Sequence, residues 1–102
     1  MKYMTGWVIK TTYTDGIHKG HSYYMVKGGY CRSVETTKVW DDEAYMTESA
    51  AKRVCTMYAK NNERDVRYEE SEQIYAQRHG RERMRIYYPE TYEPVQINVV
   101  SL

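Results

Sequence analysis

Gly6-Trp-Val-Ile-Lys-Thr-Thr-Tyr-Thr14 is followed at once by Asp15-Gly16, and the reading of this junction decides the fold class. Side chains alternate across a strand, so Trp7, Ile9, Thr11 and Tyr13 share one face and Val8, Lys10, Thr12 and Thr14 the other. Asp-Gly favours the positive φ values of a hairpin turn, and the polar run as far as Gly20 calls for a connection longer than two residues. The returning strand is 21–27, where Tyr23 and Met25 alternate with Tyr24 and Val26. Gly28-Gly29 marks the next turn and 30–35 a third, more polar strand, which Val39-Trp40 extends or borders as an edge.

Outward from this hairpin the period changes. Thr47 has the hydroxyl of an N-cap, and Glu48 places negative charge at the positive end of a helix dipole. A helix is expected over 48–60, with Ala50, Ala51, Val54, Met57 and Tyr58 as the apolar stripe against the sheet and Asn61-Asn62 as its stop. Residues 65–69 read as a short fourth strand and 71–77 as one or two helical turns. At the end of the chain, Met84, Ile86 and Tyr88 alternate with Arg83, Arg85 and Tyr87, and Val95, Ile97 and Val99 alternate with Gln96, Asn98 and Val100. The segment from Pro89 to Pro94 between them reads as a hairpin loop. The expectation is one α+β domain over residues 1–102, a mainly antiparallel sheet packed by one principal helix, with a C-terminal β-hairpin.

Size and composition narrow the function classes. A chain of 102 residues buries roughly 60–70% of its unfolded surface, enough for one modest core. Charged residues at 28% and hydrophobic ones at 41% exclude wholesale disorder, and the apolar runs are too short to span a membrane. No apolar leader with a cleavage site opens the chain, so a cytoplasmic protein is expected. Cys31 and Cys55 are too few for a disulfide framework and read as small apolar filler. The aromatic set is 12 Tyr and 2 Trp with no Phe, which puts rings with polar tips either at the edge of the core or on a binding surface.

Two surfaces stand out. Five Arg or His residues fall in the eight positions 78–85, in a chain of formal net charge +1. With Met84 and Ile86 turned to the core, the two-residue period puts Arg83, Arg85, Tyr87, Gln96 and Asn98 on the opposite face. Together with Arg78 and Arg81 this makes a basic and aromatic face suited to phosphate or carboxylate groups, or else a solvated face whose arginines pair with Glu82 or Glu90. The second surface is the acidic loop Asp41-Asp42-Glu43 between Trp40 and Tyr45, where carboxylates beside rings could dock on a basic cleft; its plainer reading is a solvated connection into the helix. A further basic and aromatic set, with Lys10, Tyr13, His18, His21 and Tyr24, lies in the first hairpin.

Chemistry is less favoured than binding. His18, His21 and Cys31 satisfy part of a zinc pattern, but no second close pair completes it, so no metal or other cofactor is implied. Cys55 lies inside the expected helix beside the apolar stripe, and Cys31 has no helix N-terminus to lower its pKa, so neither is a ready nucleophile. Neither a phosphate-binding loop nor a dinucleotide fingerprint is present, and no catalytic residues are assigned.

The order Trp7-Val-Ile-Lys10, Tyr23-Tyr24, Gly28-Gly29, Val39-Trp40 and then Ala44-Tyr-Met-Thr-Glu-Ser-Ala50 entering a helix resembles small accessory proteins of phages and prophages of Gram-positive bacteria, over about residues 6–70. The resemblance implies a β-hairpin, a further strand and one helix, and a non-enzymatic protein that binds host or phage machinery in the bacterial cytoplasm. Anti-CRISPR proteins are one kind, and the machinery would then be a nucleic-acid-processing complex. The expected function is therefore a small protein-binding module, an inhibitor or modulator of such a system. The alternative is direct nucleic-acid binding by the basic face. An exposed strand edge also leaves room for a homodimer.

Overall fold

A computed structural model describes residues 1–33 and 38–101. Strand β1 (Lys2–Tyr13) pairs antiparallel with β2 (Ser22–Met25) on one side and with β3 (Glu90–Ser101) on the other, giving the order β2-β1-β3. A single long helix, α1 (Glu48–Arg78), lies against this sheet, so the architecture is α+β with an antiparallel sheet, one principal helix and a C-terminal strand. The first hairpin forms as its residues dictate: β1 ends at Tyr13, β2 begins at Ser22, and Lys10 faces Tyr24 in register.

Both faces of the sheet are covered. On the helix side Ile9 is fully buried with Ala51 and Cys55, and Trp7, Met25, Tyr45, Val54, Tyr58 and Tyr92 pack around them. On the other side Val8, Val26 and Val99 are buried beneath Val39 and Ala44. The segment carrying these last two crosses the sheet, since Val100 N–H donates to Val39 O at one edge while Trp7 and Tyr45 exchange backbone hydrogen bonds at 2.8 and 2.9 Å near the other. Gly6 permits the crossing: a Cβ there would lie 2.8 Å from Val99 Cγ1 and 3.0 Å from Ala44 Cβ.

The helix starts where its cap predicts, with Thr47 Oγ1 accepting from Ala50 N–H at 3.2 Å, but it runs past Asn61-Asn62 to Arg78. The two Asn do not stop it because Asn62 is fixed from outside the helix. Its Nδ2 donates to Tyr88 O and its Oδ1 accepts from Glu90 N–H, both at 2.9 Å. Residues 65–69, expected as a strand, and 71–77, expected as separate turns, are interior to α1. The helix ends at Gly80, whose φ of 64° allows Gly80 N–H to reach Gln77 O at 3.2 Å and Arg81 N–H to reach Ala76 O at 2.8 Å. Its stripe also differs from the expectation: Ala51, Val54, Cys55 and Tyr58 face the sheet, whereas Met57 is half exposed.

The C-terminal hairpin is corrected in one arm. Val95, Ile97 and Val99 do face the core, but their strand pairs along its whole length with β1, and the expected loop from Glu90 onward belongs to that strand. With this partner taken, 81–89 forms no strand and returns along α1, leaving Met84 and Ile86 exposed. In the expected third strand, Cys31 forms a single bridge with Met25; Val34 and Glu35 lie outside the described residues. Among the described residues no helix is long and apolar enough to cross a membrane.

Candidate functional site

The second half of α1 and the returning segment 81–88 form an arm built around one carboxylate. Glu69 has no solvent-exposed surface. Its Oε2 accepts from Arg83 Nε and Gln73 Nε2, each at 2.9 Å, and its Oε1 accepts from the backbone N–H of Ile86 at 2.7 Å and of Tyr87 at 3.1 Å. The Arg83 guanidinium, ahead of burial acting in the opposite sense, holds the Glu69 carboxyl far below the ordinary range, with Ile86, Gln73 and Tyr87 helping. The clamp turns a sequence that alternates like a strand into a strap along the helix.

This geometry disperses the basic face drawn from the sequence. Arg83 is consumed by Glu69, and Arg85 Nη2 binds Glu70 Oε1 at 2.5 Å while its Nε donates to Tyr87 O at 3.1 Å. Tyr87 stands edge-on to Tyr68 with ring centroids 6.3 Å apart. Arg78 and Arg81 remain exposed at the helix end, and neither pairs with a carboxylate among the described residues. Asn98 lies opposite Thr5 on β3, about 26 Å along the strand from Glu90, so it joins none of the arginines. Among its exposed charged residues the arm also exposes large apolar ones: Tyr68, Ile74, Tyr75, Met84 and Ile86 are each more than half accessible.

The acidic loop is also divided. Asp41–Glu43 forms a 3-10 turn, and Trp40, Asp41, Asp42, Glu43 and Ser101 line an open hollow of about 540 Å³. Glu43 is drawn into an ion pair with Arg32 and accepts from Trp40 N–H, which leaves Trp40 and Asp42 as the exposed members. Tyr45 belongs to the core beside α1, where burial and then Tyr58 push its hydroxyl up to about 12.

The first-hairpin set divides between faces, Lys10 with Tyr24 on one and Tyr13 on the other. His18 and His21 stand with ring centroids 6.2 Å apart, and no group of three or more His, Cys, Asp or Glu able to hold a metal occurs among the described residues. Burial pushes the Cys55 thiol up, and Cys31 is exposed.

Three features escaped the sequence reading: the Glu69 clamp, the Asn62 clamp, and a tyrosine-lined cleft between helix and sheet that contains Tyr23, Tyr58, Glu90 and Tyr92. A signal for them existed. Tyr58, Asn62, Asp65, Glu69, Gln73 and Ala76 recur at three- and four-residue spacing through the supposed stop, continuing one helical face. Compared with known protein families, with curated proteins and with solved structures, the chain matches none.

Proposed function

We propose that the chain is a non-enzymatic protein-binding module whose binding surface is the arm. The observation that carries this reading is the exposure of Tyr68, Ile74, Tyr75, Met84 and Ile86 there. Large apolar side chains gathered on one projection mark interaction surfaces, and rings contribute most of the energy where they are already held in place. Two of these are held: Tyr68 lies between Tyr87 and the Arg83 guanidinium, and Tyr75 stacks on His79 with centroids 4.2 Å apart. Arg78 and Arg81 lie on the same arm and pair with no carboxylate among the described residues, so the fitting partner is a protein presenting an apolar groove with acidic residues at its rim. The resemblance to phage accessory proteins directs the search to host nucleic-acid-processing complexes, of which the chain would be a phage-encoded inhibitor or modulator.

The test uses the tagged protein as bait in bacterial host lysate, with nuclease-treated and untreated halves, beside the double variant Ile74→Glu, Met84→Glu. A stoichiometric protein that survives nuclease and is lost in the folded variant supports the module. Material recovered only without nuclease supports direct nucleic-acid binding through Arg78 and Arg81 instead, and a partner retained by the variant removes the arm from the reading.

A further inference from the structure

A second site lies where the helix crosses the sheet, and it does not depend on the exposed side chains of the arm. The register puts Thr11 opposite Tyr23 on one side and Tyr92 on the other, so the three stand in one row across the sheet. Thr11 is fully buried and small, with its hydroxyl turned to Met25 Sδ at 3.6 Å, so the two flanking rings rise on either side of a gap about 10 Å wide between strand backbones. Tyr58 enters from α1 and meets Tyr92 edge-on with centroids 5.7 Å apart. These rings, with Asp65, Tyr87 and Glu90, line a cleft of about 270 Å³.

The charged groups of this cleft are both carboxylates; the amides Asn61 and Asn62 also line it, the second already bound to Tyr88 O and Glu90 N–H. Glu90 accepts from Tyr23 Oη–H at 2.7 Å and pairs with no cation among the described residues. Among the described residues the ion-pair partner of Asp65 is its chain neighbour Arg64, at 3.6 Å, and none of the described residues that line the space is Lys, Arg or His. Burial, reinforced by Glu90, keeps the Tyr23 hydroxyl protonated far above its ordinary range, and Tyr92 is raised for the same two reasons. An anion would meet two carboxylates here. A small divalent metal needs several oxygens gathered within about 2.6 Å of one point, and rings cannot supply them. A large, weakly hydrated organic cation meets both requirements, since aromatic faces attract it and the carboxylates neutralise it.

We propose that this cleft binds the head of an alkylguanidinium or alkylammonium group, held among Tyr23, Tyr58 and Tyr92 with Glu90 and Asp65 as countercharges. Two sources present that chemistry: the Arg or Lys side chain of a protein, and a free small-molecule alkylammonium. The test follows tyrosine ring resonances of the full chain during titration with capped arginine amide, capped lysine amide, choline and, as the neutral shape control, capped citrulline amide. Saturable shifts of Tyr23, Tyr58 and Tyr92 with cations and not with citrulline are expected, weakened about tenfold by Glu90→Gln. Asp65→Asn, on a half-buried helix position, gives a second variant that keeps the Tyr23–Glu90 hydrogen bond and is expected to weaken binding in the same direction. Tighter binding of the capped amino acids than of choline assigns the site to a protein side chain, and the reverse order to a free small-molecule alkylammonium. Equal shifts with citrulline, no saturation with any cation, or affinity unchanged in both variants overturns the proposal. None of these results bears on retention of a protein by the arm, so the two readings fail separately.

Discussion

Glu69 is the residue on which the arm turns, and its substitution gives a prediction with a sign. Glu69→Gln keeps the shape and two acceptor lone pairs for Ile86 and Tyr87 N–H but leaves the Arg83 guanidinium without its charge partner. The expected cost is about 1–3 kcal/mol in denaturant unfolding near neutral pH. A carboxyl whose folded pKa lies below its unfolded value contributes stability that is complete above the unfolded value, about 4.5, and is lost as pH falls through the folded one. Unfolding free energy of the wild type should therefore fall as pH drops below about 4.5, and Glu69→Gln should flatten that limb. The tyrosines give the opposite limb. Tyr23 and Tyr92 are raised well above 10 and Tyr45 to about 12, chiefly by burial, so they stay neutral in the folded state while the unfolded chain ionises. Stability is complete below pH 10 and falls above it. Tyrosinate absorbance on an alkaline titration should show a late group that merges with the rest once the protein is unfolded; a single simple titration in the folded protein would contradict these environments.

At the scale of elements, the β1–β2 hairpin, the cap at Thr47 and the core face of β3 were legible because each is decided locally, by a two-residue period or by a side chain satisfying its own backbone. What failed was decided by residues distant in sequence. Asn61-Asn62 resembles a stop on intrinsic preference, yet Asn62 is the link that ties mid-helix to Tyr88 and Glu90. Met84 to Tyr88 alternates like a strand, yet β1 already occupies β3, and Glu69 takes the amides of Ile86 and Tyr87. Of the basic face, Arg78 and Arg81 were readable as exposed, whereas the partners of Arg83 and Arg85 could not be read once 65–69 was taken for a strand. The conflict between local and distant preference can be measured. Alanine is the better helix former by several tenths of a kcal/mol, so propensity alone makes Asn62→Ala stabilising. The lost bonds to Tyr88 O and Glu90 N–H make it destabilising, by about 2 kcal/mol. Thermal or urea unfolding of this single variant decides between them, and an increase in stability would mean the helix needs no outside anchor at Asn62.

The whole molecule measures 59 × 25 × 19 Å with a Cα radius of gyration of 16.7 Å, where a compact domain of this length has about 13 Å. The excess comes from α1, whose residues after Asn62 continue for about 24 Å past the point where β3 begins. Along that overhang the buried residues of the helix are Glu69 and Ala76, whereas the first part buries Ala51 and Cys55 against Ile9. Apolar burial and backbone pairing thus concentrate in the sheet and the first turns of the helix, and the arm is held mainly by polar ties, the buried Glu69 clamp chief among them, with the Arg85–Glu70 pair beside it. Such an arrangement opens in parts, with the region of few buried apolar contacts opening at lower free energy. Native-state hydrogen exchange should show β1, β3 and the first turns of α1 protected by a common, highest free energy, and the helix amides beyond Asn62 protected by a smaller one. Glu69→Gln should lower protection in the arm by more than in β1, because it removes the arm's anchor without touching the two clusters around Ile9 and Val8. Equal loss of protection everywhere would mean that arm and sheet open as one unit. A partner seated on Tyr68, Ile74 and Met84 should restore what the clamp alone does not supply, so arm protection that rises on complex formation while β1 protection stays constant would place that partner on the overhang.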